Sequence, residues 1–158
     1  MKKTISIILT AIILVSLFSL TAYAQSSETV ISETTEYFED GSSVTTTVTQ
    51  IASNNLTRAT KTITGSKTKT VKNSDGDVLY KFKVTGTFTV NEGVSSTCTA
   101  VSCSASNLAS GWSLVSSTKS KSGNKATATG VFGYTVLFIS KTQETTATLT
   151  CDKNGNLS

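Results

Sequence analysis

The stretch that decides the fold is residues 78–90, VLYKFKVTGTFTV. Its even positions are apolar, aromatic or glycine, whereas its odd positions after Leu79 are all lysine or threonine. Successive side chains of a β-strand point to opposite faces, so alternation of this length predicts a strand with one buried face. Gly86 lies on the apolar face, where a bend, a bulge or close packing of another chain is expected.

A second stretch, residues 126–138, ATATGVFGYTVLF, shows the same alternation, and turn signals separate several shorter strand-like segments. The turns are marked by Asp40-Gly41, by Asn73-Ser74-Asp75-Gly76 and by Gly123-Asn124. No segment has helical periodicity over three turns. About eight or nine short strands predict an all-β fold, an antiparallel β-sandwich of immunoglobulin-like or jelly-roll-like type, with a small β-barrel as the alternative.

The composition limits the chemistry that this chain can perform. Serine and threonine make up 54 of 158 residues, and threonine suits the half-buried surface of a sheet. Histidine is absent, which excludes histidine-based acid–base catalysis, histidine-activated nucleophiles and histidine-ligated metals. We therefore predict a protein that is not an enzyme and that has no catalytic residues, cofactor or metal.

The first 24 residues have the layout of a secretory signal peptide. Lys2 and Lys3 precede an uncharged, mostly apolar run at residues 5–20, and Ala22-Tyr23-Ala24 follows as a cleavage signal. The run has 16 residues, fewer than the roughly 20 that span a bilayer. The sequence thus predicts a secreted, extracellular protein in a compartment that permits disulfides.

After the signal peptide the chain divides by charge. Residues 25–57 carry a net charge of −5 and are predicted to form an acidic β-hairpin region. Residues 58–158 carry +7 and are predicted to form the basic, Thr/Ser-rich sandwich core, on which the hairpin region packs as part of one domain. The lysines are spread out and no aromatic-basic stripe occurs, so nucleic-acid binding is not predicted.

Three cysteines allow one disulfide in three possible pairings. Cys151 shares a strand face with Ala147 and Leu149. Cys98 is two residues from Ala100 and is predicted to lie on the same strand face as that residue. We therefore expect both thiols to point inward and to pair. Cys103 would remain a free thiol. The rival pairing of Cys98 with Cys103 requires a tight local turn.

The order Cys98, Trp112, Cys151 is also weakly similar to the immunoglobulin pattern, which favours Trp112 packing on a disulfide. Trp112 and Tyr37 are in addition candidates for stacking on a ligand. Core packing is the competing interpretation for both, since aromatic residues on alternating strands usually pack inward.

Several segments together carry a resemblance that covers most of the chain after residue 24. They are TTEYFEDGS (34–42), KNSDGD (72–77), TGTFT (85–89), TCT (97–99), the region of Trp112, KSGNKA (121–126), LTC (149–151) and NGNLS (154–158). In these segments the chain resembles a group of small secreted proteins of Gram-positive bacteria with no established activity. The resemblance implies that Cys98 and Cys151 match the two usual cysteines of the group and that Cys103 is an extra one. It implies no catalytic residue.

These observations lead to two functional hypotheses. The first is a secreted, non-enzymatic β-sandwich protein that interacts with an extracellular glycan, a cell-wall polymer or a protein. The alternative is a membrane-active or β-pore-forming toxin, because a membrane-spanning strand needs only roughly 9 to 11 residues and residues 78–90 and 126–138 are long enough. A membrane is a partner only under this alternative. Neither hypothesis specifies an oligomeric state.

Overall fold

The computed structural model describes residues 27–51, 60–136 and 139–158, which form two antiparallel sheets. The eight strands are β1 (Glu28–Tyr37), β2 (Ser43–Ile51), β3 (Thr60–Lys72), β4 (Val78–Asn91), β5 (Ser95–Ser106), β6 (Trp112–Ser122), β7 (Lys125–Val136) and β8 (Ile139–Thr150). Strands β1 to β5 form one sheet and β6 to β8 form the other. The predicted antiparallel β-sandwich is confirmed, and its described strands do not close into a barrel. The predicted signal peptide, residues 1–24, lies outside the described residues.

Strand order follows chain order. Within each sheet every strand pairs with the strand before or after it, which is a meander. Immunoglobulin-like and jelly-roll sandwiches contain Greek-key connections, so the connectivity here is simpler than either expected type. Residues 107–111 connect the five-stranded sheet to the three-stranded sheet. In this connection the Ala109 N–H donates to the Leu79 carbonyl at 2.8 Å, and the Trp112 N–H donates to the Ala109 carbonyl at 3.0 Å.

The core lies between β4 and the strands β7 and β8. The predicted alternation is confirmed from Tyr80 to Val90, because the side chains of the apolar face have no exposed surface in this part of the strand. Val78, at the start of the strand, is only partly buried. Fully buried on this face are Tyr80, Phe82, Val84, Phe88 and Val90. The opposite sheet contributes the aromatic ring of Phe132 and the smaller side chains of Ala126, Ala128, Ala147 and Leu149, and Cys151 is buried directly after β8.

Two glycines bring the sheets close together. A Cβ atom on Gly86 would lie 2.8 Å from the Phe88 ring and 2.9 Å from the Cβ of Ala126. A Cβ atom on Gly130 would lie 2.9 Å from the Phe82 ring. Since real Cβ atoms do not approach other atoms this closely, the aromatic core requires glycine at both positions. The close packing predicted at Gly86 is confirmed.

A β-bulge in β5 changes which of its side chains face the core. Phe88 pairs with Cys98, whereas Thr87 pairs with Ala100, so Thr99 is the extra residue. The bulge reverses the alternation, and Cys103 faces inward with Cys98 while Ala100 is exposed. The expectation that Cys98 and Ala100 share an inward face is therefore wrong for Ala100 and right for Cys98.

The last eight residues, 151–158, complete the part of the core that is next to β3. Thr150 and Ser158 exchange two backbone hydrogen bonds, at 2.8 and 2.9 Å, so the segment folds back on β8. The carboxylate of Asp152 fixes the turn by accepting bonds from the Asn154 and Asn156 N–H groups, each at 2.8 Å. As a result the side chain of Leu157 is buried.

The acidic hairpin belongs to the five-stranded sheet. Among the described strands β1 pairs only with β2, and all ten of its residues are exposed, whereas Val48 of β2 belongs to the core. The described part of the 25–57 region is thus continuous with the sandwich through β2. No helix in the described residues is long and apolar enough to cross a membrane.

Candidate functional site

Two turns meet at one end of the sandwich and define a pocket. The β1–β2 turn contacts the β3–β4 turn, because a Cβ on Gly41 would lie 3.1 Å from the Cβ of Ser74. Between these turns and the three-stranded sheet is a pocket of about 300 Å³. We call it the end pocket, and its lining includes Asp40, Lys72, Asn73, Trp112, Tyr134 and Gln143.

Aromatic rings form one wall of the end pocket. The rings of Trp112 and Tyr134 are stacked, with centroids 4.4 Å apart and an interplanar angle of 18°. The centroid of the buried Tyr80 ring lies 5.2 Å from that of Trp112. The Tyr80 ring also stacks on the Phe132 ring, with centroids 3.8 Å apart. Trp112 and Tyr134 are themselves only partly buried. The pocket therefore presents partly exposed aromatic surface that is supported from behind by the core.

The carboxylate of Asp40 is held in place at the rim. Its Oδ1 accepts hydrogen bonds from the Ser42 N–H at 2.9 Å and from the Ser42 hydroxyl at 2.6 Å. These bonds stabilise the ionised form and hold the pKa of Asp40 below its ordinary value. The rim thus carries a fixed hydrogen-bond acceptor that remains charged at neutral pH.

The β3–β4 turn is fixed in a similar way by Asn73. The Asn73 side-chain oxygen accepts bonds from the N–H groups of Asp75, at 3.1 Å, and Asp77, at 2.8 Å. Gly76 adopts a positive φ of 87°, which glycine accommodates without strain. Both turns are held by side-chain to backbone bonds, so the polar groups at the pocket are positioned before a ligand arrives.

Lys72 and Gln143 provide the remaining polar groups. Lys72 is the last residue of β3, and Gln143 pairs with Phe132 across β7 and β8. Neither side chain forms a hydrogen bond or an ion pair with another described residue. The ammonium group and the amide are therefore available as donors, and the amide also as an acceptor.

A second depression lies on the outer face of the five-stranded sheet. It measures about 480 Å³ and is bordered by residues that include Glu33, Tyr37, Thr45, Thr70, Lys72 and Lys81; we call it the outer trough. The Tyr37 side chain is 80% exposed. Thr35 and Thr45 hydroxyls bond each other at 3.0 Å, and the Thr47 hydroxyl donates to Glu33 at 3.1 Å. The floor is thus an ordered row of threonines.

The two aromatic residues predicted as ligand platforms lie in different depressions. Trp112 lines the end pocket and Tyr37 lines the outer trough. Sequence reasoning missed Gln143 and the rim role of Asp40 and Asn73. The signal for Asp40 and Asn73 was present, because both belong to turn motifs, but those motifs predict only turns.

All three cysteines are free thiols in the structure, so no disulfide is formed there. Cys98 and Cys151 are both buried, and their N–H groups donate to the consecutive carbonyls of Gly123, at 2.8 Å, and Asn124, at 3.0 Å. Burial raises the pKa of both thiols, and for Cys98 it outweighs the positive charge of Lys121, which lowers the pKa. Cys103 is partly buried.

The expectation that Trp112 packs on a disulfide is wrong. Trp112 begins β6, whereas the cysteines flank the β6–β7 turn that follows Ser122. Ten residues of strand separate the two positions along β6, which corresponds to roughly 33 Å. Trp112 packs on tyrosines at one end of the sandwich, and Cys98 and Cys151 lie at the other end.

No metal centre is apparent in the part of the chain that the structure describes. Within residues 27–51, 60–136 and 139–158, no group of three or more acidic, cysteine or histidine side chains is arranged to hold a metal ion. The arrangement at the end pocket suits hydrogen bonding and stacking.

Comparison with known proteins adds no family. The chain matches no protein-family model, and no curated protein sequence or solved structure is significantly similar to it.

Proposed function

We propose that this chain is a secreted, non-enzymatic β-sandwich protein that binds an extracellular glycan in the end pocket. The observation that carries the proposal is the placement of the stacked Trp112 and Tyr134 rings beside Asp40, Asn73 and Gln143. A sugar ring has an apolar face of C–H groups and a rim of hydroxyl groups that donate and accept hydrogen bonds. Aromatic surface next to mixed polar groups complements both parts of such a ligand.

The fixed turns also support the proposal. Binding is tighter when the site does not lose conformational freedom on contact with its ligand. Ser42 already orients Asp40, and the backbone of the β3–β4 turn already orients Asn73. A pocket of about 300 Å³ is at the lower end of the usual range for small-molecule sites, roughly 300–1,000 Å³, and fits the end of a glycan.

Secretion and a Cys98–Cys151 disulfide belong to the same proposal. The signal-peptide pattern supports export, and the joint burial of the two thiols beside the β6–β7 turn supports their pairing. Formation of the bond would proceed by exchange with the disulfide of an extracellular oxidoreductase. The two thiols lose two protons and two electrons, and the disulfide of the oxidoreductase is reduced to two thiols.

The membrane-active alternative receives less support from the packing. A pore would require the apolar faces of β4 and β7 to contact lipid, whereas in the sandwich these faces bury each other. The two sheets would have to separate first. The end pocket requires no such rearrangement.

The proposal is tested by binding to an array of bacterial and host glycans. The protein is purified from the medium of cells that express the full chain, and wild type is compared with Trp112→Ala, Gln143→Ala and Phe38→Ala. Phe38 is an exposed aromatic residue outside the lining of both depressions, so it is the matched control.

We expect wild type and Phe38→Ala to bind alike. Gln143→Ala should bind between about twofold and tenfold more weakly, since it removes one hydrogen-bonding group without disturbing a packed side chain. Trp112→Ala should lose binding. The proposal would be contradicted if wild type, Gln143→Ala and Trp112→Ala all bound the glycan equally well. It would also be contradicted if the wild type bound no glycan on the array.

A further inference from the structure

The outer trough adjoins the end pocket, and Lys72 lines both depressions. Ser42 lines the end pocket, and the next residue, Ser43, lines the trough. The two depressions therefore meet at the ends of β2 and β3. The lysine ammonium group at this junction is not paired with another described residue.

Tyr37 lies in the same row of the sheet as this junction. Tyr37 pairs with Ser43, and Ser43 pairs with Lys72, so two strand spacings separate Tyr37 from Lys72. This corresponds to about 10 Å between their Cα atoms. From Tyr37 the trough continues along β1 to Glu33, a further four residues or about 13 Å.

The surface of the trough has the same chemical character as the end pocket. It combines one highly exposed aromatic ring, Tyr37, with hydroxyl groups of β2 and β3 and with the ammonium groups of Lys72 and Lys81. A ligand that continued out of the pocket past Lys72 would meet hydrogen-bonding groups and then an aromatic face.

We propose that the end pocket and the outer trough form one continuous site for an extended glycan chain. The terminal sugar occupies the end pocket beside Trp112 and Tyr134, Lys72 donates hydrogen bonds at the junction, and the following sugars lie along the trough and stack on Tyr37. This inference rests on the proposed function and extends it from a single sugar to a polymer.

The inference is tested with β-1,4-linked N-acetylglucosamine oligomers, from the disaccharide to the hexasaccharide, as the probe. Binding is measured by isothermal titration calorimetry for wild type, Tyr37→Ala and the control Phe38→Ala. Both substitutions remove an exposed aromatic side chain at the same end of the hairpin, and only Tyr37 lines the trough. Neither side chain belongs to the core, so both variants should fold.

We expect wild type and Phe38→Ala to bind the longer oligomers more tightly than the disaccharide. Tyr37→Ala should leave disaccharide binding unchanged and weaken hexasaccharide binding between about twofold and tenfold, as loss of one stacking contact predicts. Equal affinity for all lengths, or an unchanged hexasaccharide affinity in Tyr37→Ala, would overturn the continuous site and leave the end pocket intact. Absence of binding at every length would overturn the proposed function for this glycan and the inference with it.

Discussion

Cys98 and Cys151 are held side by side by one turn, because their backbone N–H groups donate to the consecutive carbonyl oxygens of Gly123 and Asn124, at 2.8 and 3.0 Å. Asn124 also donates its side-chain amide to the Cys151 carbonyl at 2.8 Å. The strands β5 and β8 come from different sheets, and this turn joins their ends. A covalent bond between the two cysteines would secure the contact that the hydrogen bonds already make.

The protein purified from the medium should contain one disulfide, between Cys98 and Cys151. Its intact mass should be lower by two hydrogens than that of the reduced protein, and only Cys103 should react with an alkylating reagent. The bridge closes a loop of about 50 residues, so Cys151→Ser should lower the free energy of unfolding by up to about 4 kcal/mol. Cys103→Ser is the control and should change it little. Three alkylated cysteines in the secreted protein would contradict the prediction.

Tyr80→Phe should destabilise the fold. The Tyr80 hydroxyl is buried and shares a 2.8 Å hydrogen bond with the Thr145 hydroxyl, so its removal leaves a buried polar group without its partner. We expect a loss of about 1–3 kcal/mol in the free energy of unfolding, measured by urea denaturation. Tyr134→Phe is the control, because no described residue bonds the Tyr134 hydroxyl. Similar losses in both variants would argue against the role of the hydrogen bond.

Leu157→Ala should show that the C-terminal segment is part of the core. Leu157 is 6% exposed and packs over Gly65 of β3, where a Cβ atom would collide with the leucine side chain. The expected loss of stability is about 2–5 kcal/mol. Leu108→Ala, at a leucine that is 42% exposed, should cost much less. If both variants unfold at the same urea concentration, the C-terminal segment does not stabilise the core as the packing of Leu157 indicates.

Glycan binding should be insensitive to pH over the range in which Asp40 remains ionised. Because hydrogen bonds from Ser42 lower its pKa, the carboxylate keeps its charge as pH falls to values near the ordinary aspartate pKa of about 3.9. Affinity should therefore be constant between about pH 7 and about pH 5 and should decline only below the ordinary pKa.

Ser42→Ala provides the matching test. It removes the shorter of the two hydrogen bonds to Asp40, so the pKa should rise and the decline in affinity should begin at a higher pH. Ser74→Ala, on the neighbouring turn, should leave the pH profile unchanged. If the pH dependence of glycan affinity is the same in Ser42→Ala as in wild type, Asp40 is not part of the binding site.

The strands and their buried faces could be predicted because they depend on local pattern. The alternation around Phe82 and Phe132 and the Asp40-Gly41 and Gly123-Asn124 turns predict elements that the structure contains. The bulge at Thr99 could not be predicted, since neither glycine nor any other local signal marks it. It places Cys103 on the inward face and Ala100 on the outward face.

The end pocket could not be predicted because it depends on topology. Asp40, Asn73 and Trp112 are far apart in sequence and come together only because the meander places their turns at the same end of the two sheets. The alternation gives each residue a face of its strand but does not say which ends of the strands are neighbours. The Cys98, Trp112, Cys151 order likewise does not say that Trp112 and the cysteines lie at opposite ends of the sandwich.

The most direct test of the end pocket uses the only tryptophan of the chain. In a spectrum of the ¹⁵N-labelled protein, Trp112 gives a single indole N–H signal, which is followed as the glycan selected on the array is added. We predict a saturable shift of this signal together with the side-chain amide signal of Gln143, while the backbone amide signals of Cys98 and Cys151 remain unchanged. Binding that saturates without moving the Trp112 signal would contradict the account.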